Sequence, residues 1–343
     1  RTTFTNEKSD TLTDVIEFDN AYKFKKENSF IFRRIITLLL PFFEWNKLNE
    51  KRKINNVKYL IVNSRNIFHL ILYYSFCKLY SIKLFMTYVE YGSVMKTNSF
   101  LEKIKQLLFE KFAFKLVDAV FPISEFLAKM IIKKNKNLPL LKIPVLTDFE
   151  FINKVNKPKI KRQFLFCGGA AFYDVIDIII NSFDIAEIQN VKLILNCGGN
   201  SIELGRLKKR IAKAKKSQFI KLTNSLSFEN LIENYKSSLA LLIPLRYKLQ
   251  DLARFPHKIG EYAASGRPII SNNFGEMNVY FKDGKTAFLA DGYTPKSISE
   301  KMEFVVNNED LATTVGQNAK LMASVKFNYI NYSEKLKEFL KSI

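Results

Sequence analysis

Lys258 and Glu261 stand three residues apart in the stretch Phe255-Pro256-His257-Lys258-Ile259-Gly260-Glu261-Tyr262-Ala263-Ala264-Ser265-Gly266-Arg267-Pro268-Ile269-Ile270-Ser271. On a helix this spacing sets an ammonium and a carboxylate side by side on one face. A carboxylate accepts two hydrogen bonds from a vicinal diol such as ribose, and an ammonium attracts a diphosphate, so the pair can hold a nucleotide sugar from both ends. An isolated pair at this spacing is equally a solvated helix face. The flanking residues favour a site: a polar loop leads in, Gly266 stands where the helix must stop, and an apolar strand begins at Ile269.

The same stretch resembles the P-x-K-x-x-E-Y-x-A-x-G-x-P signature in the C-terminal domain of GT-B fold glycosyltransferases of the family 4 type. The resemblance runs from about Val117 to Asp291. It implies an α/β protein of two Rossmann-like, doubly wound parallel-sheet domains facing a cleft. It also implies transfer of a sugar from a nucleotide-diphosphate donor, expected to be a UDP- or GDP-sugar, with retention of anomeric configuration and no cofactor.

Further candidates follow the strand ends. Phe164-Leu165-Phe166-Cys167-Gly168-Gly169-Ala170-Ala171 reads as a strand ending in small residues, which let backbone N–H groups approach a phosphate closely. Family members commonly carry an Arg just after this glycine pair and a Lys several residues later. Here Ala170, Ala171 and Asp174 follow instead, so positive charge must come from elsewhere. Arg246, Lys248, Arg254 and Lys258 are the candidates, Lys258 being the one that matches the motif. Many relatives also carry an acid eight positions before the helix Glu; that position is Ala253, which leaves Glu261 alone in the ribose role. Gly275 and Glu276 loosely resemble a family stretch whose N–H groups face the donor at a helix start, and equally suit a plain strand-to-helix turn. Thr223 and Asn224 end another strand, where relatives hold the nucleobase. Thr87-Tyr88-Val89-Glu90-Tyr91-Gly92 closes a strand where relatives often have a His near the reacting sugar, which makes Glu90 a catalytic candidate to accept a proton or orient the sugar, or else a helix N-terminal acid. The expected catalytic set is Glu90, Lys258 and Glu261. The donor-binding set is Gly168, Gly169, Thr223, Asn224, Arg246, Arg254, Lys258, Glu261, Gly275 and Glu276.

The 343 residues, 47% of them apolar, suit two α/β domains. Apolar runs at Lys58–Val62, Ile82–Val89 and Ala119–Ile123 read as buried strands, with helices at about 66–80, 99–117 and 124–134. After a Lys- and Asn-rich stretch at 153–163, a second series follows: Phe164–Cys167, Lys192–Asn196, Phe219–Leu222, Ala240–Pro244, Pro268–Ser271 and Ala287–Ala290. This alternation predicts parallel sheets, whose ligands sit at the carboxyl ends of strands. The expected division is an acceptor-side domain over 1–152, a nucleotide-sugar domain over 153–326, and a helix over 327–343 that in this family crosses back to the N-terminal domain. The first buried strand is expected near Asp14–Phe18, so an N-terminal piece of the fold, with its glycine loop, is expected to be missing.

A formal charge of +21 implies an anionic partner. Nucleic acid has only this basicity in its favour, since no helix-turn-helix, RRM, KH or zinc-finger pattern is present. Bases alternate with bulky apolar groups in Tyr22-Lys23-Phe24-Lys25-Lys26 and Phe30-Ile31-Phe32-Arg33-Arg34, and again where Lys103, Lys105, Lys111 and Lys115 accompany Phe109, Phe112 and Phe114. Such segments suit an anionic membrane surface, although the 100–117 helix equally suits packing its aromatic side inward. The basic run Gly205–Lys216 reads as a solvated helix face. Ile35–Phe43 is interrupted by Pro41 and falls short of a membrane span. Cys77, Cys167 and Cys197 read as reduced core thiols, and no metal-ligand spacing stands out.

The expected setting is therefore the inner face of a bacterial cell membrane, with the chain peripheral and cytoplasmic, adding a sugar to a lipid-linked glycan for a surface polysaccharide. The alternatives are a catalytically silent GT-B subunit that binds a membrane or partner enzyme, and a GT-B nucleotide-sugar epimerase.

Overall fold

A computed structural model describes residues 11–13, 16–17, 30–55, 57–91, 100–156, 158–224 and 226–343. The basic and aromatic stretch 22–26 lies outside the described residues, as do Gly92 and the flanks of the strand expected near 14–18. Two short antiparallel strands, β1 (Thr11–Thr13) and β2 (Ile16–Glu17), come first. By internal contacts the chain divides into two compact units, Arg1–Thr87 with Lys96–Val120, and Tyr88–Met95 with Phe121–Ile343.

The first unit contains a 25-residue helix against which Pro41 argues in the sequence, α1 (Phe30–Ile54), which runs straight through that proline. Proline removes one helix hydrogen bond and crowds the preceding turn. Tertiary contacts offset that cost: Trp45 packs edge-on against Phe76 at 5.0 Å, Tyr73 donates to Glu44 at 2.9 Å, and the Arg52 guanidinium lies 4.0 Å from the Tyr80 ring. Lys51, Arg52 and Lys53 in the last turn complement the helix dipole. Phe76 and Tyr73 belong to α2 (Ile67–Leu79), whose N-cap Asn66 accepts from the Phe68 N–H at 3.0 Å. Strands β3 (Tyr59–Val62), β4 (Lys83–Tyr88) and β5 (Ala119–Pro122) form a sheet in that order, with β3 and β4 parallel.

Helix α3 (Phe100–Leu116) divides its aromatic residues between core and surface. Phe109 and Phe114 are buried, while Phe100, Ile104, Leu107 and Phe112 are exposed. The helix thus spends two aromatic side chains on the core and keeps a separate apolar stripe outside. Among the described residues no helix is long and apolar enough to cross a membrane.

The second unit begins its helices with α4 (Glu125–Lys134) and α5 (Phe149–Lys154). Its sheet holds β6 (Gln163–Gly169), β7 (Lys192–Gly198), β8 (Ile220–Thr223), β9 (Ala240–Leu242), β10 (Ile269–Asn272) and β11 (Phe288–Ala290). They are parallel and ordered β11-β10-β9-β6-β7-β8. Apart from the edge strand β8, where Lys221 is exposed and Leu222 and Thr223 are half-buried, they are buried on both faces and read in the sequence as apolar runs, which is why their positions were foreseeable. The strand order reverses between β6 and β9, and a crevice opens at such a point beyond the carboxyl ends. Helices α6 (Tyr173–Ile185), α7 (Ser201–Ala212), α8 (Phe228–Ser237), α9 (Leu249–Ala253), α10 (Lys258–Ser265), α11 (Glu276–Tyr280), α12 (Pro295–Asn307), α13 (Glu309–Lys326) and α14 (Ile330–Ser342) complete the unit. Helix α7 starts at a capping box formed by Asn200 and Glu203 and ends before Lys213, so Lys213, Lys215 and Lys216 of the basic run lie beyond it. In α14, Phe339 meets Phe121 at 5.7 Å.

The core of this unit gathers Phe164, Ile176, Ile179, Ile180, Phe183 and Leu193, all at or below 1% exposure. Burying a side chain of this size contributes about 1.5–3 kcal/mol. That rigid platform positions the loops at the strand ends.

Candidate active site

Strand β6 ends at Gly168 and Gly169. A Cβ on Gly168 would come within 2.7 Å of the tip of the Phe166 ring, so the ring would have to move to admit any side chain there. The next fixed point is Tyr262, fully buried on α10, whose hydroxyl accepts from the Cys167 N–H at 2.9 Å. This bond ties the end of β6 to the helix that carries Lys258 and Glu261. Cys77, Cys167 and Cys197 are all buried free thiols.

Helix α10 begins at Lys258 and stops at Gly266, whose φ of +74° places it in the left-handed region. Lys258 Nζ donates to both Glu261 oxygens, at 3.2 and 2.9 Å. Tyr235 of α8 donates to Glu261 Oε2 at 3.1 Å, and its ring packs edge-on against Tyr262 at 4.9 Å. Burial pushes the Tyr235 phenol far above its ordinary range, so the hydroxyl stays a donor. The carboxylate is therefore held from two sides and remains 17% exposed, open to a diol.

The two arginines after β9 differ sharply. Arg246 forks onto Asp251 through Nε and Nη2 at 2.8 and 2.7 Å, and its Nη1 reaches Asp174 at 3.2 Å. The bonds to Asp251 raise its pKa above the ordinary arginine value despite burial. Its donors are committed inside the protein. Burial pushes the Asp174 carboxyl up, but Lys248 and Arg246 outweigh it and hold the group below the usual range. Arg254 shares Asp251 through Nη2 at 2.8 Å and lies 4.7 Å from the Phe172 ring centroid, yet its Nε is buried with no hydrogen-bond partner among the described residues. Burial pulls the Arg254 pKa down, offset in part by the charges of Asp251 and Glu90.

These elements enclose a cavity of 340 Å³ at the carboxyl ends of β6 and β9. Glu90, Gly168, Arg254 and Lys258 all line it, with Cys167, Phe172, Phe255 and His257. Glu261 stands behind Lys258. The other candidates lie elsewhere. Arg246 is within the Asp251 and Asp174 network, and Gly169 lies one residue past the lining. Thr223, at the end of β8, donates to Asn196 Oδ1 at 3.4 Å, and Asn224 is exposed beside it. Gly275 adopts φ +57° before α11, where a Cβ would stand 3.1 Å from the Asp251 carbonyl oxygen. Glu276 is 1% exposed and points into a buried cluster, accepting from the Glu125 N–H at 2.6 Å with Lys142 Nζ 3.5 Å away. Burial raises its pKa, and the Glu125 N–H and Lys142 pull it back.

Sequence reasoning missed Phe172, Tyr235 and Asp251. Asp251 was discoverable as an acid five residues after Arg246, at the start of α9. No local signal marks Tyr235, which meets Glu261 only through the packing of α8 on α10.

Comparison with known proteins places this site in a family. The model for glycosyl transferases group 1 matches residues 148–322, which contain β6 through α10 and most of the cavity wall. The uncharacterized glycosyltransferase MJ1069 of Methanocaldococcus jannaschii is 25% identical over 298 residues, covering 82% of this chain and 74% of that protein. MJ1178 of the same organism, also an uncharacterized glycosyltransferase, is 25% identical over 66% of this chain, and the match spans 60% of that relative's length. Among solved structures, sucrose-phosphate synthase from Thermosynechococcus elongatus superposes with a TM-score of 0.73 at 14% identity, covering 88% of this chain and 78% of that one. The Anabaena HepE structure in complex with UDP and glucose gives 0.72 at 13% identity, covering 89% and 81%. At such identities these likenesses establish the fold, which is GT-B. With the family model spanning more than half of its length, this chain belongs to the glycosyl transferases group 1 family.

Proposed function

We propose that this chain is a retaining, metal-independent glycosyltransferase of the family 4 type that moves a hexosyl group from a nucleotide-diphosphate donor to a glycan acceptor. The observation that carries the reading is the meeting of Gly168, Arg254 and Lys258 in one cavity where the strand order reverses, with Glu261 held behind them. Arg254 and Lys258 face the diphosphate and stabilise the charge that develops as the glycosidic bond breaks. The Gly168 backbone approaches the same phosphates, and Glu261 accepts from the ribose hydroxyls. Retention follows if the acceptor hydroxyl attacks from the face the diphosphate leaves, its proton passing to the departing phosphate oxygen. Glu90, on the cavity wall, orients the sugar or receives that proton. The HepE structure, solved with UDP and glucose, makes a UDP-sugar the first donor to try.

A lipid-linked acceptor at an anionic membrane surface fits the charge of +21 and the outer face of α3. There Phe100, Ile104 and Leu107 are exposed, with Lys103, Lys111 and Lys115 exposed beside them. Such a chain would work on the inner membrane face in surface polysaccharide synthesis.

Calorimetric titration with UDP-, GDP-, ADP- and dTDP-sugars, without added metal, tests the donor reading. One donor is expected to bind saturably, and Glu261→Ala to weaken it. A folded chain that binds none of them would replace this reading with the silent subunit. Proton NMR of the product anomer tests retention, and salt-sensitive pelleting with anionic liposomes tests the membrane claim.

A further inference from the structure

The side chains around the cavity divide unevenly. Those that offer oxygen or nitrogen are Glu90, Arg254, His257 and Lys258, whereas Ile123, Phe166, Phe172, Val175, Leu245 and Phe255 form apolar wall. Phe166, Val175 and Phe255 are at or below 5% exposure, so their faces are fixed by packing rather than free to turn away. Cys167 adds a thiol whose pKa burial raises, which makes it a weak partner for a hydroxyl.

A hexosyl group brings hydroxyls at several ring positions, and each one buried against hydrocarbon loses its water without gaining a partner. With Arg254 and Lys258 turned to the diphosphate, Glu90 and His257 are the polar lining side chains among the described residues that can serve the sugar. A methyl group in place of a hydroxyl, or an acetamido methyl, meets this wall without that loss and gains from leaving water. We infer that the cavity selects a donor whose sugar carries a methyl group, either a 6-deoxyhexose or an N-acetylated amino sugar. This inference rests on the nucleotide-sugar reading and adds to it the class of sugar.

The test keeps the base constant while the sugar changes. The full chain is titrated with UDP, UDP-glucose, UDP-N-acetylglucosamine and UDP-6-deoxyglucose, and in parallel with GDP, GDP-mannose and GDP-6-deoxymannose. In the series whose free diphosphate binds, a methyl-bearing sugar is expected to bind about tenfold more tightly than its parent hexose, the usual discrimination of an apolar pocket for one such group. The two UDP arms tell an acetamido methyl from a 6-deoxy carbon. Val175→Thr, which sets a hydroxyl in the wall, is expected to narrow the gap. Binding of the free diphosphate with the parent hexose as tight as every methyl-bearing sugar overturns the inference and leaves the nucleotide-sugar reading standing. A preference that Val175→Thr leaves unchanged also overturns it, because the selection would then lie outside this wall. If a folded chain binds none of UDP, GDP, ADP and dTDP, the nucleotide-sugar reading falls and takes the inference with it; if only ADP or dTDP binds, the same pairs of parent and methyl-bearing sugars are compared on that base.

Discussion

Arg246 and Arg254 share one carboxylate, and replacing each with glutamine should have opposite consequences. Asp251 is 1% exposed and receives two side-chain bonds and a backbone N–H bond from Arg246, but only an ion pair from Arg254. Arg246→Gln strips the forked partner from a buried anion and also releases Asp174. Breaking a buried pair by removing one member costs about 3–5 kcal/mol. For a unit of this size that lowers the melting temperature by roughly 6–20 °C. Arg254→Gln leaves Asp251 with its fork intact, so the melting temperature should fall by only a few degrees. What it removes is a cavity-facing cation whose Nε has no hydrogen-bond partner among the described residues. A charge-assisted contact to a phosphate is worth about 1.5–3 kcal/mol, so the dissociation constant for a nucleoside diphosphate should rise roughly 10- to 150-fold. Differential scanning fluorimetry and calorimetric titration with UDP and GDP, run on both variants, separate the two effects. A folded Arg254→Gln protein that binds like the parent would refute the placement of Arg254 on the diphosphate. An Arg246→Gln protein with unchanged melting would refute the claim that its donors are committed internally.

Other residues yield their own tests. Tyr235→Phe deletes one of the bonds that aim Glu261, so the affinity ratio between UDP and 2′,3′-dideoxy-UDP should narrow, with about 1 kcal/mol lost in stability; a ratio equal to that of the parent would show that Tyr235 only packs. Gly266→Ala forces a side chain into a left-handed conformation and should cost about 1–2 kcal/mol by denaturant unfolding. Gly316→Ala should cost more, because its Cβ would stand 2.5 Å from the Gly266 carbonyl oxygen and 2.7 Å from the Pro268 nitrogen, backbone atoms that cannot swing aside; the reverse ranking would contradict the packing of α13 on α10. Burial pushes the Cys77 and Cys197 thiols from 9.0 up to about 12. Because the folded values lie above the unfolded ones, the stability they confer is complete below pH 9 and drains away as pH rises toward 12. Melting temperatures should decline above pH 9, and less steeply in a double Cys→Ala variant; identical slopes would dismiss the thiols as the cause.

The strands were legible because parallel strands buried on both faces are written as unbroken apolar runs, so Phe164–Cys167 and Lys192–Asn196 needed no tertiary context. Helix α10 was legible for a different reason: its end is fixed by one residue, Gly266, whose left-handed φ glycine adopts without strain. Helix α1 was not, since Pro41 argues locally against a continuous helix, and the turns beyond it are braced where Trp45, Glu44 and Arg52 meet α2 and its end. The site followed the same division. Lys258 and Glu261 are neighbours in sequence and could be paired by eye. The ranking of the four candidate cations was half legible: Asp251, the forked partner of Arg246, lies five residues further along, whereas the contact of Asp174 with Arg246 exists only once α6 and the loop after β9 have come together.

The strand order also says when during folding this site comes into being. Its cavity straddles β6 and β9, which hydrogen-bond as neighbours through Phe164 and Ala240 although β7, β8 and the helices that join them intervene along the chain. Pairings between distant segments form late, because the loop entropy must be lost before the contact returns anything. A chain stalled with β6, β7 and β8 assembled would have a hydrophobic half-sheet and no place for a nucleotide. Ligand should therefore leave the refolding rate nearly untouched and act almost wholly by retarding unfolding, as a clasp fastened after the garment is on.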